Sequence, residues 1–500
     1  MFDLLGNLAL GFSTAMSPMN LFLAFIGCLV GTLVGVLPGV GPIATIAMLM
    51  PLTLKVDPTG ALIMLAGIYY GAQYGGSTTA ILLNIPGEVT AVVTAIDGHE
   101  MAKKGQAGTA LGIAAIGSFF AGSVATLIIA AIGAPLTRLA LLFGPAEYFA
   151  LMVFGLGLAI VLARGSVLKA VIMVVLGLLF ATVGTDLETG QDRLTLGIAE
   201  LSDGIDFAVL AMGLFGIAEI LRNLENPEAR SVAVARIGSL LPSRDDLRRC
   251  FGPIVRATGI GSLLGILPGN GAVLGPFASY ALEKKLADDP SRFGKGAIEG
   301  VAGPESANNA GAQTSFIPLL TLGIPPNAVM ALMVGAMTIH GLIPGPQVMT
   351  KYPSLFWGMI ASMWIGNLFL LIINLPLIGL WVRLLKVPYR LMFTTILLFC
   401  AIGIYSINNN PYDVYFTAFF GLVGYVLIKL GLEPAPMLLG FVLGKLMEEK
   451  MRQALALSEG SFMTFLERPV SAVLLALALA VMVIAVLPAV NRKREQAFQE

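Results

Sequence analysis

The sequence is short of charge, of histidine and of cysteine. Lys, Arg, Asp and Glu make up 12% of its 500 residues and cancel to a formal net charge of zero. Soluble domains carry about a quarter charged residues, and a neutral, charge-poor chain offers no electrostatic footprint for nucleic acid. Of the three cysteines, Cys28 and Cys400 sit in apolar runs and Cys250 beside arginines. None has CxxC spacing, so neither a disulfide frame nor a thiolate metal site is indicated. The two histidines, His99 and His340, belong to no ligand-spaced cluster and read as a loop residue and a segment-end residue. With no Gly-x-Ser-x-Gly elbow either, an intramembrane enzyme is disfavoured. The missing Gly-x-x-x-x-Gly-Lys-Ser/Thr loop speaks against ATP-driven transport by this chain. Gly269–Gly275 has the look of a dinucleotide loop, but no strand precedes it. Met1–Asn20 lacks the basic region and cleavage site of a signal peptide and is expected to be mature sequence.

What fills the chain instead is apolar. It is 57% hydrophobic, with a mean hydropathy of +0.86. Runs such as Thr109–Ala134, Met392–Ile407 and Val470–Val490, and Val167–Gly184 but for Lys169, approach the roughly 20 residues that carry a helix across a bilayer. The expectation is an all-α polytopic membrane protein with about 11–12 crossings.

Glycine and proline mark a repeat. Gly31–Gly41 recurs as Gly261–Gly271, identical at Gly31, Leu33, Gly35, Leu37, Pro38, Gly39 and Gly41 and their partners. A second echo follows each copy, Ser77–Glu88 and Thr314–Asn327, in the same order. Loop charges suggest how the copies are oriented, since Lys and Arg favour the cytoplasmic side. Expected cytoplasmic loops are 98–107, 164–169, the Arg-rich 222–249, 284–295 and 383–390. Expected outer loops are 1–17, the acidic 185–206 and 408–413. Helices are expected at about 109–134, 145–163, 166–184, 206–221, 354–385, 391–409, 411–431, 434–455 and 468–489, ending on a cytoplasmic basic tail, Arg492–Arg494. Only Lys445–Arg452 resists this scheme, since it places those cations outside.

The organisation that follows is a first repeat at 1–221, an Arg-rich cytoplasmic connector at 222–251, a second repeat at 252–466, and a final helix and tail at 467–500. Each repeat holds a re-entrant hairpin (18–54 and 252–284) and a broken spanning segment (58–97 and 297–343). An odd number of crossings between the hairpins makes the repeats inverted, a recurrent transporter plan.

Irregular backbone in a bilayer leaves polar groups unpaired and survives only where it is buried in protein or lines a wet cavity. The helix ends after each break, at Gly39 and Gly41 and at Gly269, Asn270 and Gly271, would suit a carboxylate. A plain kink is the structural alternative. Ser306, Asn308, Asn309, Gln313 and Thr314 enter an apolar segment and would need partners. Substrate could supply them, or else helix–helix hydrogen bonds and a cap from Ser306. Ser77, Thr78 and Thr79, beside Tyr74, play the equivalent part in the first half, with Asn84 before its break. Glu88 and Glu305 are the nearest ionisable residues and the candidate ion-coupling groups; Glu88 could instead serve a helix N-terminus. No basic residue lies near either break, so an anion would be held by helix ends and neutral donors.

At these residues the sequence resembles the large membrane subunit of the tripartite tricarboxylate transporter family. The resemblance rests on Gly35–Gly41, Gly76–Glu88, Asp97–Gly105, Gly303–Ala310 and Pro318–Pro325, and covers about residues 18–466. Ile324-Pro-Pro326 departs from the Ile-Pro-Gly of the first copy. The resemblance implies a secondary transporter of the bacterial inner membrane that takes a citrate-like tricarboxylate or a dicarboxylate from a periplasmic solute-binding protein. It also implies a small membrane subunit, no cofactor, and a coupling ion, sodium or a proton. A sodium site would lie near the breaks, with its residues unassigned. An ion-independent channel or facilitator is the competing class.

Overall fold

The computed structural model describes residues 4–37, 41–84, 87–163, 166–186, 188–225, 237–268, 271–384 and 389–486. Gly39, Gly269, Asn270 and the tail at 492–494 lie outside them, as does 226–236 of the connector.

The described chain is almost wholly helical. It begins α1 (Leu4–Ala15), α2 (Pro18–Val36), α3 (Pro42–Thr53), α4 (Pro58–Leu83) and α5 (Val92–Lys103). It continues α6 (Ala107–Ala140), α7 (Pro145–Leu162), α8 (Val167–Ala181), α9 (Phe207–Ala211) and, through a π-turn at Met212–Ile217, α10 (Ala218–Glu225). After the connector come α11 (Arg244–Gly265), α12 (Gly271–Leu286), α13 (Glu299–Thr314), α14 (Phe316–Leu322), α15 (Ala328–Ile339) and α16 (Pro346–Lys351). The chain ends α17 (Pro353–Asn374), α18 (Ile378–Leu384), α19 (Tyr389–Asn408), α20 (Pro411–Lys429), α21 (Pro434–Leu457), α22 (Thr464–Glu467) and α23 (Pro469–Val486). A two-residue hairpin, β1 (Gly184–Thr185) and β2 (Asp192–Arg193), is antiparallel. Pro18, Pro42, Pro58, Pro145, Pro353, Pro411 and Pro434 open their helices, where a missing N–H costs nothing. Asp57 and Asn327 cap α4 and α15 by accepting from Gly60 and Met330.

Among the described residues, six helices are long and apolar enough to cross a bilayer: Pro18–Val36, Ala107–Ala140, Pro145–Leu162, Phe207–Glu225, Pro353–Asn374 and Pro411–Lys429. Three expectations need correction. Residues 4–15 form a helix rather than a loop, because α1 docks on α17: a Cβ at Gly11 would stand 2.4 Å from Trp357 O, and Phe12 stacks on Trp364. The helix expected over 354–385 divides at Pro376, which cannot continue α17. His99 lies inside α5, with Nδ1 3.1 Å from Ile81 O, and is not a loop residue.

Small residues set the packing. Gly27, Gly31 and Gly35 of α2 back onto Met64, Ile68 and Ala72 of α4, so close that a Cβ would approach the partner carbonyls to 2.2–2.4 Å. The contacts advance together along both helices, so α2 and α4 run parallel and α3 returns the chain between them. In the second half Gly261 and Gly265 of α11 back onto Ala307 and Gly311 of α13 in the same sense. There α12 folds back along α11, with Gly275 beside Gly261 and Arg256 paired with Glu283 at 2.5 Å. Small-residue seams are what helix association in lipid exploits. α4 and the α13–α14 pair pass one another antiparallel: Ser77 reaches Glu305, whereas Tyr69 and Tyr70, earlier on α4, lie against Phe316, later on its partner.

The loops fall into two sets. In one, Lys104 bonds Lys295 O, Gly108 abuts Ser239, Arg249 and Arg292 pair with Glu299, Lys429 pairs with Glu225, and Lys169 bonds Leu430 O. In the other, Arg452 pairs with Asp186 and Glu188, Arg193 with Glu448, and Arg468 with Glu147. The helices α6, α7, α8, α9–α10 and α21 each run from one set to the other. Arg452, which ran against the charge scheme, is neutralised by the acidic 185–206 loop.

Candidate functional site

The two broken segments stop and restart in the same way. α4 ends on Asn84 (φ 57°, ψ 28°) and α14 on Gly323 (φ 74°, ψ 18°), both in the left-handed region that closes a helix. The restarts are Glu88 (φ −147°, ψ 167°) and Asn327 (φ −151°, ψ 174°), equally spaced from those caps. Gly87 N bonds back to Gly76 O, and Ile324 N to Pro318 O. This register pairs Asn84 with Gly323 and Glu88 with Asn327.

The crossing of α4 with α13 is where polar groups converge. Glu305 is 1% exposed. Its carboxylate accepts from Ser77 Oγ at 2.7 Å and Thr94 Oγ1 at 2.5 Å. Asn309, one turn on, donates to Ser118 Oγ of α6 at 2.6 Å and to Glu305 O at 3.3 Å. Glu88 accepts from Thr90 Oγ1, which also reaches Gln73 Oε1. Among the described residues no Lys, Arg or His side chain pairs with Glu88 or Glu305.

Beside Glu305 opens a cleft of about 300 Å³, including the part continuous with the outside. Tyr74, Ser77 and Thr78 of α4 line it, with Leu111, Ala114, Ala115 and Ser118 of α6, and Asn374, Leu375 and Ile378 from the end of α17 and the start of α18. Several buried atoms here and along α13 find no partner among the described residues: Tyr74 OH, Asn374 Oδ1, Asn309 Oδ1, and both amide atoms of Asn308 and Gln313. Buried polar groups are ordinarily satisfied, so such a concentration marks a place where something else binds.

Of the residues singled out from sequence, Ser77, Thr78 and Glu305 line this cleft and Asn309 stands beside it. Thr79 and Thr314 turn their hydroxyls to Gly76 O and Ala310 O on their own helices. Ser306 lies within α13 and donates to Ala302 O, so it caps no following helix. Asn84 is exposed at the end of α4, and Glu88 is half-buried and makes no capping bond. Gly41 caps α3 facing open space, while Gly271 packs on Leu264 O; neither lines the cleft. Thr94, Ser118 and Asn374 were not anticipated. Ser118 and Asn374 are single polar residues within apolar runs, and that isolation was their signal.

One further cluster holds the halves together. Asp97 of α5 is fully buried. Its Oδ1 accepts from the backbone N–H groups of Gly294, Gly296 and Ala297 at 2.7–2.9 Å, and its Oδ2 from Tyr280 OH at 2.9 Å. It thereby pins the loop between α12 and α13. At the opposite end, Thr53 Oγ1 of α3 lies 3.2 Å from His340 Nε2, just past α15.

Comparison with known proteins agrees with this architecture. The sequence model of the tripartite tricarboxylate transporter TctA family matches residues 21–439. Two proteins of Agrobacterium vitis are similar. An uncharacterized 52.8 kDa protein in the TAR-I ttuC' 3' region is 60% identical over 500 residues, the full length of both chains. An uncharacterized protein in the TAR-II ttuC' 3' region is 61% identical over 240 residues, 48% of this chain and 99% of the relative. No solved structure matches.

Proposed function

Because the chain belongs to the tripartite tricarboxylate transporter TctA family, and so is a membrane component of such a transporter, we propose that it carries a carboxylate by ion-coupled alternating access about the Glu305 cleft. The observation that carries this reading is the meeting of the two halves at a buried carboxylate, beside a cleft edged with unpartnered neutral donors and acceptors. Thr78, Ser118 and Asn374 would orient the substrate's carboxylates, each contact being a hydrogen bond without a formal counter-charge. The helix N-termini at Gly41 and Gly271, which do not line the cleft, would add longer-range dipolar attraction from the hairpins. Glu88 and Glu305 would carry the coupling, since ionisable groups at membrane depth mark ion paths.

In this reading the repeats are inverted across the inner membrane of a bacterium, with the basic loop set and the C-terminal tail in the cytoplasm. The antiparallel passage of α4 and α13–α14 supports that arrangement, as does the restriction of the acidic 185–206 loop to the opposite set. A solute-binding protein would deliver a tri- or dicarboxylate, and a small membrane subunit would complete the assembly.

Uptake of labelled citrate, and of a dicarboxylate panel, into proteoliposomes holding the three components tests the proposal. Accumulation is expected only with an imposed sodium or proton gradient and the binding protein. Equilibration that ignores both would establish a facilitator instead.

A further inference from the structure

We infer that Glu305, Ser77, Thr94 and Tyr74 form a monovalent-cation site whose occupation must precede binding of the anion. This rests on the carboxylate-transport reading above and assigns that site an order of events.

Glu305 is 1% exposed and, among the described residues, its carboxylate meets only hydroxyl donors. A carboxylate that far from water needs a compensating positive charge or a proton, and the described residues offer it no Lys, Arg or His. Two hydroxyl oxygens already stand at bonding distance, from Ser77 and Thr94. Each hydroxyl can turn its hydrogen away and present a lone pair. Hard oxygen donors of this kind suit a small alkali cation, and the same carboxylate can take a proton. Independently, Tyr74 OH is buried, unpartnered and lines the same cleft. It completes a set drawn from α4, α5 and α13.

The order follows from position. Glu305 itself lines the cleft that would receive the substrate. An anion entering beside an uncompensated carboxylate meets like-charge repulsion in a medium that screens it poorly. Once a cation sits on Glu305 the repulsion is gone, and Ser118 and Asn374 can serve the anion. The site thus couples the two ligands through charge alone, without requiring them to touch.

Direct binding to the purified full-length chain separates the two claims. Radiolabelled sodium should bind saturably, or, if the cation is a proton, citrate should draw protons from weakly buffered solution when it binds. Glu305→Gln should abolish whichever signal the wild type gives, and should let citrate bind with no sodium requirement and little pH dependence, because it imitates the neutralised site. Thr94→Val and Ser77→Ala keep the carboxylate and should weaken the cation about tenfold each, the loss of one hydrogen-bonding ligand. They stand in if Glu305→Gln does not fold. Unchanged cation binding in these variants, or citrate binding that stays cation-dependent in Glu305→Gln, overturns the site while leaving carboxylate transport intact. Sodium binding that depends on Glu305 without any citrate binding would keep the site and reject the substrate reading and the order.

Discussion

At the first break the helix restarts through Glu88, and at the second through Asn327, with nearly superposable backbone angles. Asn327 spends its side chain on Met330 N and so caps α15, whereas Glu88 makes no such bond and turns its carboxylate to Thr90. The outer ties of the two segments differ as well. Asp97, beyond the first break, holds four donors of the opposite half, three from the α12–α13 loop and one from α12, while His340, beyond the second, meets one hydroxyl. The two restarts therefore match in backbone and differ in chemistry. At its restart the first half places an ionisable group, Glu88, and the second a neutral amide, Asn327.

Breaking the strong tie should have the largest effect. Asp97→Ala strands three backbone N–H groups and a tyrosine hydroxyl and is expected to cost at least about 3 kcal/mol, with uptake lost. His340→Ala should cost less than about 1 kcal/mol. Thermal unfolding of both variants in detergent checks this, and equal losses would remove the asymmetry. The seam glycines come next. Gly261→Ala drives a Cβ to 2.2 Å from Ala307 O, whereas Gly259→Ala on the same helix meets nothing within 4 Å. The first should lose about 1–3 kcal/mol from overpacking, and the second should be neutral or slightly stabilising, since Ala favours helix over Gly. Similar melting temperatures for the two would refute the close parallel packing of α11 on α13.

At the restarts, Asn327→Ala should lose about 1 kcal/mol as a removed cap, and Asn327→Asp should keep the cap. Glu88→Gln should leave stability nearly unchanged but alter the cation dependence of uptake. A melting-temperature loss in Glu88→Gln as large as that in Asn327→Ala would mean that Glu88 is a cap after all.

Much of this frame was legible. Apolar runs between charged loops marked α7, α20 and α21 nearly to the residue, because helix-opening prolines punctuate them. The polar run on α13 announced itself by composition, and Glu305 by being an acid in an apolar segment. What could not be read was which distant residue meets which. Ser77 and Glu305 are joined only by the crossing of α4 with α13, and Ser118 and Asn374 reach the cleft from helices whose own pattern is lipid-like. Thr314 and Ser306 looked as suited to a ligand as Asn308 does, but their hydroxyls satisfy the preceding turn of their own helix. No local sequence signal separates a threonine that bonds its own backbone from one that does not.

The smallest effect concerns the acidic loop that neutralises Arg452. Hydrogen bonds from Arg452, with support from the backbone N–H groups of Glu188 and Thr189, hold Asp186 down to about 2 from an ordinary 3.8. A depressed carboxylate stabilises the folded arrangement fully above its ordinary value, and the contribution fades as pH falls through the folded one. Docking of the β1–β2 hairpin on α21 should therefore persist from neutral pH to about 4 and weaken between there and about 2. Hydrogen exchange of residues 184–193 in detergent should show this opening while the helices of the cleft stay protected. Asp186→Asn should expose the hairpin already at neutral pH and flatten the step. If exchange in the wild type is unchanged down to pH 2.5, the ion pairs do not hold the loop. The placement of Lys445–Arg452 at the acidic end would then need a source other than Asp186.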